Sequence, residues 1–481
     1  MIAPAPRHVA EQLVIVVADG LRPDTLDAAV DAGRTPALAR LRAEGAHHVL
    51  TTVFPSVTGL AYTPLLLGRH PAPLGIPGLR WFDRTRDHLR APGHARSYIG
   101  HGLRKLDEDL DPAAPTLFEL ARPALGAFTL VARGLPQRDR IGRGVRWALR
   151  TATTHFRGSV AGWLAIDRDV AAVVARRVRR ERPRFVLAAM MGIDKLSHAA
   201  GQTSAAAADA LHAVDAFVAT LRADAERDGR WRGMRLWVVS DHGHSDVDRH
   251  EDLARRIETA GHRVLAHPWA ARAGAAHVAV MVSGNAMAHI YLELGARHRP
   301  GWPALTARWT PLADALLALH ATDLMLLPQG PGACDVRART RGAALVTWTT
   351  SPAWRVGYER RTGDPLGLGC DLACACDAES HDRTLATDYP DALRQIAQIA
   401  GASRSGDIIL SAAPGWDYRT RYEPIPHRST HGGLHRDHML VPLLLDRPAA
   451  RPPRRTVDVM PSALATLGIA VPAGVEGESF V

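Results

Sequence analysis

Aspartate and histidine recur along this sequence in the way a metal centre would use them. Asp19 follows the apolar run 13–18, Asp194 and His198 follow the run 185–191, the pair Asp241-His242 follows 236–240, and His431 lies in Ser-Thr-His-Gly-Gly. Carboxylate oxygens and imidazole nitrogens together suit zinc, and iron or manganese fit the same donors. Singly, each has an ordinary explanation. An Asp after a strand caps a turn or a helix, and a lone His belongs to the surface or the core. Their recurrence at the ends of successive apolar runs points to a shared centre.

A hydroxyl joins the set. In the segment 51–68 an extended Val-Phe-Pro stretch gives way at Thr58 to an apolar helical pattern. A hydroxyl there would stand at a helix N-terminus, where free N–H groups and the dipole favour an anion. The competing reading is that Thr58 is simply the N-cap, worth about 1 kcal/mol to its helix.

The elements that must carry these residues are short, β-branched apolar runs without polar alternation, as expected of strands buried on both faces of a parallel sheet. Residues 13–18, 185–191, 236–240 and 439–446 read this way, with a long Ala-rich helix over 205–221 between them. Strands alternating with helices predict a doubly wound, mostly parallel α/β sheet, whose ligands gather at the carboxyl ends of the strands. Two stretches break the pattern. Residues 86–160 are Arg-rich and Pro-punctuated, with a helical segment over 142–152, and read as a helical insertion. Residues 330–425 are rich in Thr, Trp and Tyr, with a hairpin joining 343–349 to 354–358, and read as a small β-containing cap. The expected organisation is a core built from 1–85, 161–329 and 426–481, interrupted by the insertion and the cap.

With 46% hydrophobic and 22% charged residues in 481, the chain is a globular protein rather than a disordered or fibrous one. The net charge of +10 hints at nucleic acid, but only Lys105 and Lys195 are lysines. That Arg skew beside abundant Ala reads as coding bias, so no nucleic-acid polymer is expected as a partner. No apolar run reaches the roughly 18 residues of a membrane span, and residues 1–12 lack the pattern of a signal peptide. Four cysteines do not make a disulfide scaffold. The expected compartment is the cytoplasm; the oligomeric state is not legible.

These segments, in this order, resemble the alkaline phosphatase superfamily, specifically its nucleotide pyrophosphatase/phosphodiesterase branch. Asp19-Gly-Leu-Arg-Pro-Asp24 is similar to the opening metal motif and Thr35 to Gly45 to the helix after it. Phe54-Pro-Ser-Val-Thr58 is similar to the nucleophile segment, with Gly68 and Gly75-Ile76 in register behind it. Asp194-Lys-Leu-Ser-His198, Ser240-Asp-His-Gly243 and Thr430-His-Gly-Gly433 match the remaining ligand motifs. The tail, from Thr456-Val-Asp-Val-Met-Pro-Ser through Glu476-Gly-Glu-Ser, is similar to the closing segment. The resemblance covers about 1–85, 160–250 and 426–481. It implies two divalent metals, commonly zinc. One would be held by Asp194, His198 and His431, the other by Asp19, Asp241 and His242 with Thr58. It further implies that Thr58 attacks phosphorus in a small phosphate ester, a diester or pyrophosphate bond, and forms a covalent intermediate.

One departure bears on the substrate. Where the branch places a phosphate-binding asparagine, this chain has Leu79 followed by Arg80, and Leu74 replaces the histidine before Gly-Ile. Arg80 is a candidate to bind the phosphate oxygen in its place, which keeps a monoesterase or a phosphonate hydrolase open as rivals. A sulfatase is disfavoured, because the Cys/Ser-x-Pro-x-Arg segment is missing. From a different class, a non-catalytic, metal-stabilised binding protein would show the same ligands without turnover. His244, His250, His435 and His438 flank the ligand motifs and cannot be ranked. Asp24 reads as a helix-start residue. Cys370, Cys374 and Cys376 match no zinc framework. The Arg-rich segment 138–150 reads as a solvated face, with a basic helix for an anionic surface as the alternative.

Overall fold

The computed structural model describes residues 9–85, 95–266, 276–418 and 426–481. The first residues screened for a leader, the start of the insertion and the end of the cap lie outside these. The strand Gln12–Ala18 is buried along its whole length, as its unbroken apolar run requires. It pairs in parallel with Phe185–Met190 on one side and Met234–Val239 on the other. The sheet they centre has seven strands, continued by Ala124–Ala127 and Arg140–Ile141 beyond the first neighbour and by Leu440–Leu445 and Ala46–Thr51 beyond the second. Leu440–Leu445 runs antiparallel to both its neighbours and is the one reversed strand of this sheet among the described residues, so the sheet is mostly parallel, as expected. The helices Val160–Glu181 and Ala205–Arg227 pack on one another, and Ala205–Arg227 also packs on Gly192–Ala200. Among the described residues no helix is long and apolar enough to cross a membrane.

The β-containing part is larger than the Thr-, Trp- and Tyr-rich stretch. A second sheet of nine strands begins at Val264–Ala266, Val278–Ser283 and Met287–Leu292, takes in Ile408–Ala412 and Thr322–Gly330, and ends at Leu372–Cys376. The hairpin expected within it is present as Gly342–Thr349 paired with Arg355–Arg360. Both faces of this sheet are covered. In the strand Thr322–Gly330, Leu324 and Leu326 join the core that includes Leu393 and Ile396, while Met325 and Leu327 join the core of Trp309 and Leu312. That alternation is the two-residue period of a strand read from both sides. The three cysteines lie at or beside the edge strand Leu372–Cys376, and all are free.

The C-terminal tail fastens the segment that follows Thr58. The Glu476 N–H donates to the Gly68 carbonyl at 2.9 Å, and its carboxylate meets His70 Nδ1 at 2.5 Å and Arg394 Nη2 at 2.8 Å. Burial alone would raise the Glu476 carboxyl, but His70 and Arg394 outweigh it and bring it from 4.5 down to about 2. A carboxyl lowered on folding contributes stability above its unfolded value and loses it as pH falls toward the folded one. Glu476→Gln is therefore expected to lose about 2 kcal/mol in denaturant unfolding at pH 7. The gap to wild type should narrow as pH drops below 4.5. Equal stability of the two proteins at pH 7 would contradict this.

Candidate metal centre

Because Gln12–Ala18, Phe185–Met190 and Met234–Val239 are parallel neighbours, their carboxyl ends lie side by side. Asp19 stands directly after the first strand. Asp194 stands in the first turn of the helix Gly192–Ala200 after the second, and Asp241 two residues past the third. All three are fully buried. Gly20, at φ +80°, lets the chain turn here; a Cβ at Gly20 would come within 2.8 Å of the His244 ring and 3.1 Å of the Asp194 backbone. The helix bearing Asp194 is set by Asp167, whose carboxylate accepts the Met191 and Gly192 N–H groups at 3.0 and 2.8 Å.

Three imidazoles converge on one oxygen of Asp194. The Nε2 atoms of His244, His198 and His431 lie 2.8, 3.2 and 3.4 Å from Oδ1. Each ring is held from its other nitrogen: His198 Nδ1 by the Ser429 carbonyl at 2.7 Å, His244 Nδ1 by the Ser429 hydroxyl at 2.9 Å, and His431 Nδ1 by the Ser56 carbonyl at 2.9 Å. For His198 and His431 the partner is a carbonyl, which only accepts, so Nδ1 carries the proton and Nε2 is left as the lone pair a metal ligand needs. The second group is Asp19, Asp194 and His242, whose ligand atoms also lie within 4.8 Å of one another, so Asp194 is common to both. Asp241 adjoins it, with Oδ2 at 3.5 Å from His242 Nε2. The His242 and His431 rings stack at 3.8 Å, which brings the two groups into contact.

Electrostatics favour cations here. Burial, then Asp241 and Asp194, push the Asp19 carboxyl well up, and burial raises Asp241. Burial opposes ionisation of Asp194 too, but Lys195 and His198 outweigh it and hold that carboxyl well down. Burial also drives the His431 imidazole down and takes His244 to about 3, so both stay neutral. Three buried carboxyl groups thus lie with the neutral His431 and His244 imidazoles, two of them raised for want of a counter-charge, and Lys195 Nζ is 2.6 Å from Asp194 Oδ2. Asp241 Oδ2 is buried without a hydrogen-bond partner. An orphaned carboxylate oxygen and converging imidazole lone pairs are what a divalent ion would satisfy. The residues fit the metals.

Thr58 lies against the second group. Its Oγ1 is 3.3 Å from Asp19 Oδ1 and 3.0 Å from His242 Nε2. It does not cap a helix: the helix is Tyr62–Leu67, its N-cap is Ala61, and residues 58–61 form turns. The hydroxyl is thus committed to the centre rather than to local structure.

The six Asp and His positions named from sequence and Thr58 are therefore all brought together. Sequence spacing left His244 unranked, and the structure places it in the first group; its only signal was a second His two residues past His242. Tyr62, whose hydroxyl donates to Asp19 Oδ2 at 3.2 Å, and Asp167 went unnoticed, because nothing in their local sequence marks them. The other flanking histidines are engaged elsewhere, His250 with Asp417 and His438 with Ser245 and the Gly433 N–H, while His435 accepts from Asp437 N–H. Asp24 pairs with Arg22 at a helix start. Arg80 is 8% exposed, and its Nη1 donates to the Val282 carbonyl at 3.2 Å.

Comparison with solved structures finds the same fold at low identity. Phosphonoacetate hydrolase from Sinorhizobium meliloti 1021, in complex with phosphonoacetate, is 18% identical, with TM-score 0.57 over 96% of this chain and 97% of that one. Murine ectonucleotide pyrophosphatase/phosphodiesterase 5 is 16% identical, with TM-score 0.55 over 96% of each chain. No curated protein sequence matches. The family model described as type I phosphodiesterase/nucleotide pyrophosphatase matches residues 13–301, which include Asp19, Thr58, Asp194, His198, Asp241 and His242. With more than half its length so matched, the chain belongs to the type I phosphodiesterase/nucleotide pyrophosphatase family, whose chemistry is phosphoester hydrolysis.

Proposed function

We propose that this protein is a metal-dependent phosphodiesterase or pyrophosphatase acting through Thr58. The observation that carries the reading is the Thr58 hydroxyl, held between Asp19 and His242 beside a second ligand group that shares Asp194. Asp194, His198 and His431 would hold one divalent ion, with His244 beside them, and Asp19, Asp241 and His242 the other; the donor set suits zinc. When bound, such ions supply Lewis acidity, lowering the pKa of a hydroxyl and neutralising charge on phosphoryl oxygens. Asp19 and His242 orient the Thr58 oxygen toward phosphorus. The new O–P bond forms as the ester's leaving oxygen departs, giving a phosphothreonyl ester on Thr58. Water arriving from the side of Asp194, His198 and His431 then releases the phosphate monoester that carries the remaining substituent, and restores the hydroxyl.

Leu79-Arg80 and the phosphonoacetate hydrolase likeness favour one further reading, a monoesterase or phosphonate hydrolase on the same scaffold. A guanidinium offers charge to a dianionic monoester that an amide does not. The test is kcat/KM of wild type and Arg80→Ala on bis-p-nitrophenyl phosphate and on p-nitrophenyl phosphate. The diesterase reading expects the wild type to prefer the diester; preference for the monoester would give the second reading. No turnover of either by metal-loaded protein would leave a non-catalytic binding protein. If Arg80 binds the phosphate, Arg80→Ala should lose about a hundredfold, near the low end for one oxyanion donor. One arm of its fork is already spent on Val282. The loss should be larger on the monoester. Equal, small losses would make Arg80 a wall residue.

A further inference from the structure

Of the nine large apolar side chains that the described residues leave exposed, four lie between positions 145 and 160. Three belong to the helix Val145–Phe156: Val145 is 77% exposed, Leu149 62% and Phe156 67%. At about 100° per residue they fall within roughly 40° of one another around the helix axis, so they form a single outward stripe. The opposite side is fixed to the protein. Trp147 meets Phe128 edge-on at 5.5 Å, and Thr154 is buried. The next helix continues the apolar surface with Val160.

The formal charge carried by this stretch of chain is of one sign. From Arg140 to Ile166 the chain carries arginines at 140, 143, 146, 150 and 157 and no carboxylate. Arg146 and Arg157 are exposed, while Arg150 pairs with Asp169 at 2.6 Å. An apolar stripe flanked by arginines is the surface of an interfacial helix, which seats its apolar face at the headgroup boundary and its cations on anionic lipid. A water-facing helix has no use for the first feature, and a polyanion in solution has no use for it either.

We propose that the helix Val145–Phe156 docks this protein on the surface of an anionic phospholipid bilayer. The helix lies on the membrane and does not span it. The inference concerns attachment and stands apart from the reaction at Thr58.

The test is sedimentation of the full chain with vesicles of phosphatidylcholine containing about one-third phosphatidylglycerol, and with vesicles of phosphatidylcholine alone. Wild type should sediment with the first and be released by salt. Two double variants separate the contributions: Leu149→Gln with Phe156→Gln removes the stripe at constant charge, and Arg146→Gln with Arg157→Gln removes charge at constant stripe. Each should weaken binding by roughly tenfold or more while leaving turnover of a soluble ester and the unfolding midpoint unchanged, which excludes misfolding. Thr58→Ala should sediment like wild type, so failure of the catalytic reading and failure of docking are separable. Wild type that stays in the supernatant with anionic vesicles, or variants that sediment as well as wild type, would overturn the proposal. A dimer seen by light scattering and abolished by Leu149→Gln with Phe156→Gln would assign the stripe to a second copy and overturn it equally.

Discussion

Thr58→Ala is expected to reduce kcat roughly a thousandfold or more on any accepted phosphate ester, the scale of losing a covalent nucleophile. The metals should stay, because the Asp and His ligands are untouched and the Thr58 hydroxyl makes only one edge of the second group. Thr58→Ser should retain substantial turnover, since the oxygen is kept and only the methyl is lost. The pair of variants therefore separates chemistry from folding. Wild-type turnover by Thr58→Ala would mean direct attack by water and would remove the covalent step.

The second large effect concerns the ligands. His198→Ala and His431→Ala should each deplete one ion per chain, because each ring is tied at Nδ1 and aims Nε2 at Asp194. Asp241→Asn should deplete the other, since the buried Oδ2 of Asp241 has no hydrogen-bond partner to satisfy it otherwise. Asp194→Asn should be the most damaging, lowering both, because Asp194 belongs to both groups. Metal analysis of the purified variants reads these losses directly. Retention of two ions by Asp194→Asn would show that the two groups do not share that carboxylate.

How much of this was legible in the sequence follows from what each feature depends on. The central strands were legible because a strand buried on both faces needs an unbroken apolar run, and the Asp at each strand end follows from the parallel register. The start of the helix after Thr58 was not. The Ala- and Leu-rich pattern there fits turns as well as helix, and only the tertiary partners Asp19 and His242 decide that Thr58 faces the centre. The extent of the second sheet was hidden for a related reason. Val278–Ser283 and Met287–Leu292 are mostly apolar and buried throughout, and such runs look alike whichever sheet they join. Tyr62 and Asp167 act through partners far away in sequence, at separations no local pattern records. His244 carried a spacing signal but no means of ranking it against His250 or His438.

Hydrolysis at Thr58, as proposed, depends on metals held around Asp194. The most direct test is to strip the protein with a chelator, add zinc back in steps, and follow turnover of bis-p-nitrophenyl phosphate against bound metal. Turnover should be absent in the stripped protein and reach its plateau at two ions per chain. Full turnover by the metal-free protein would rule out a metal-dependent reaction at Thr58.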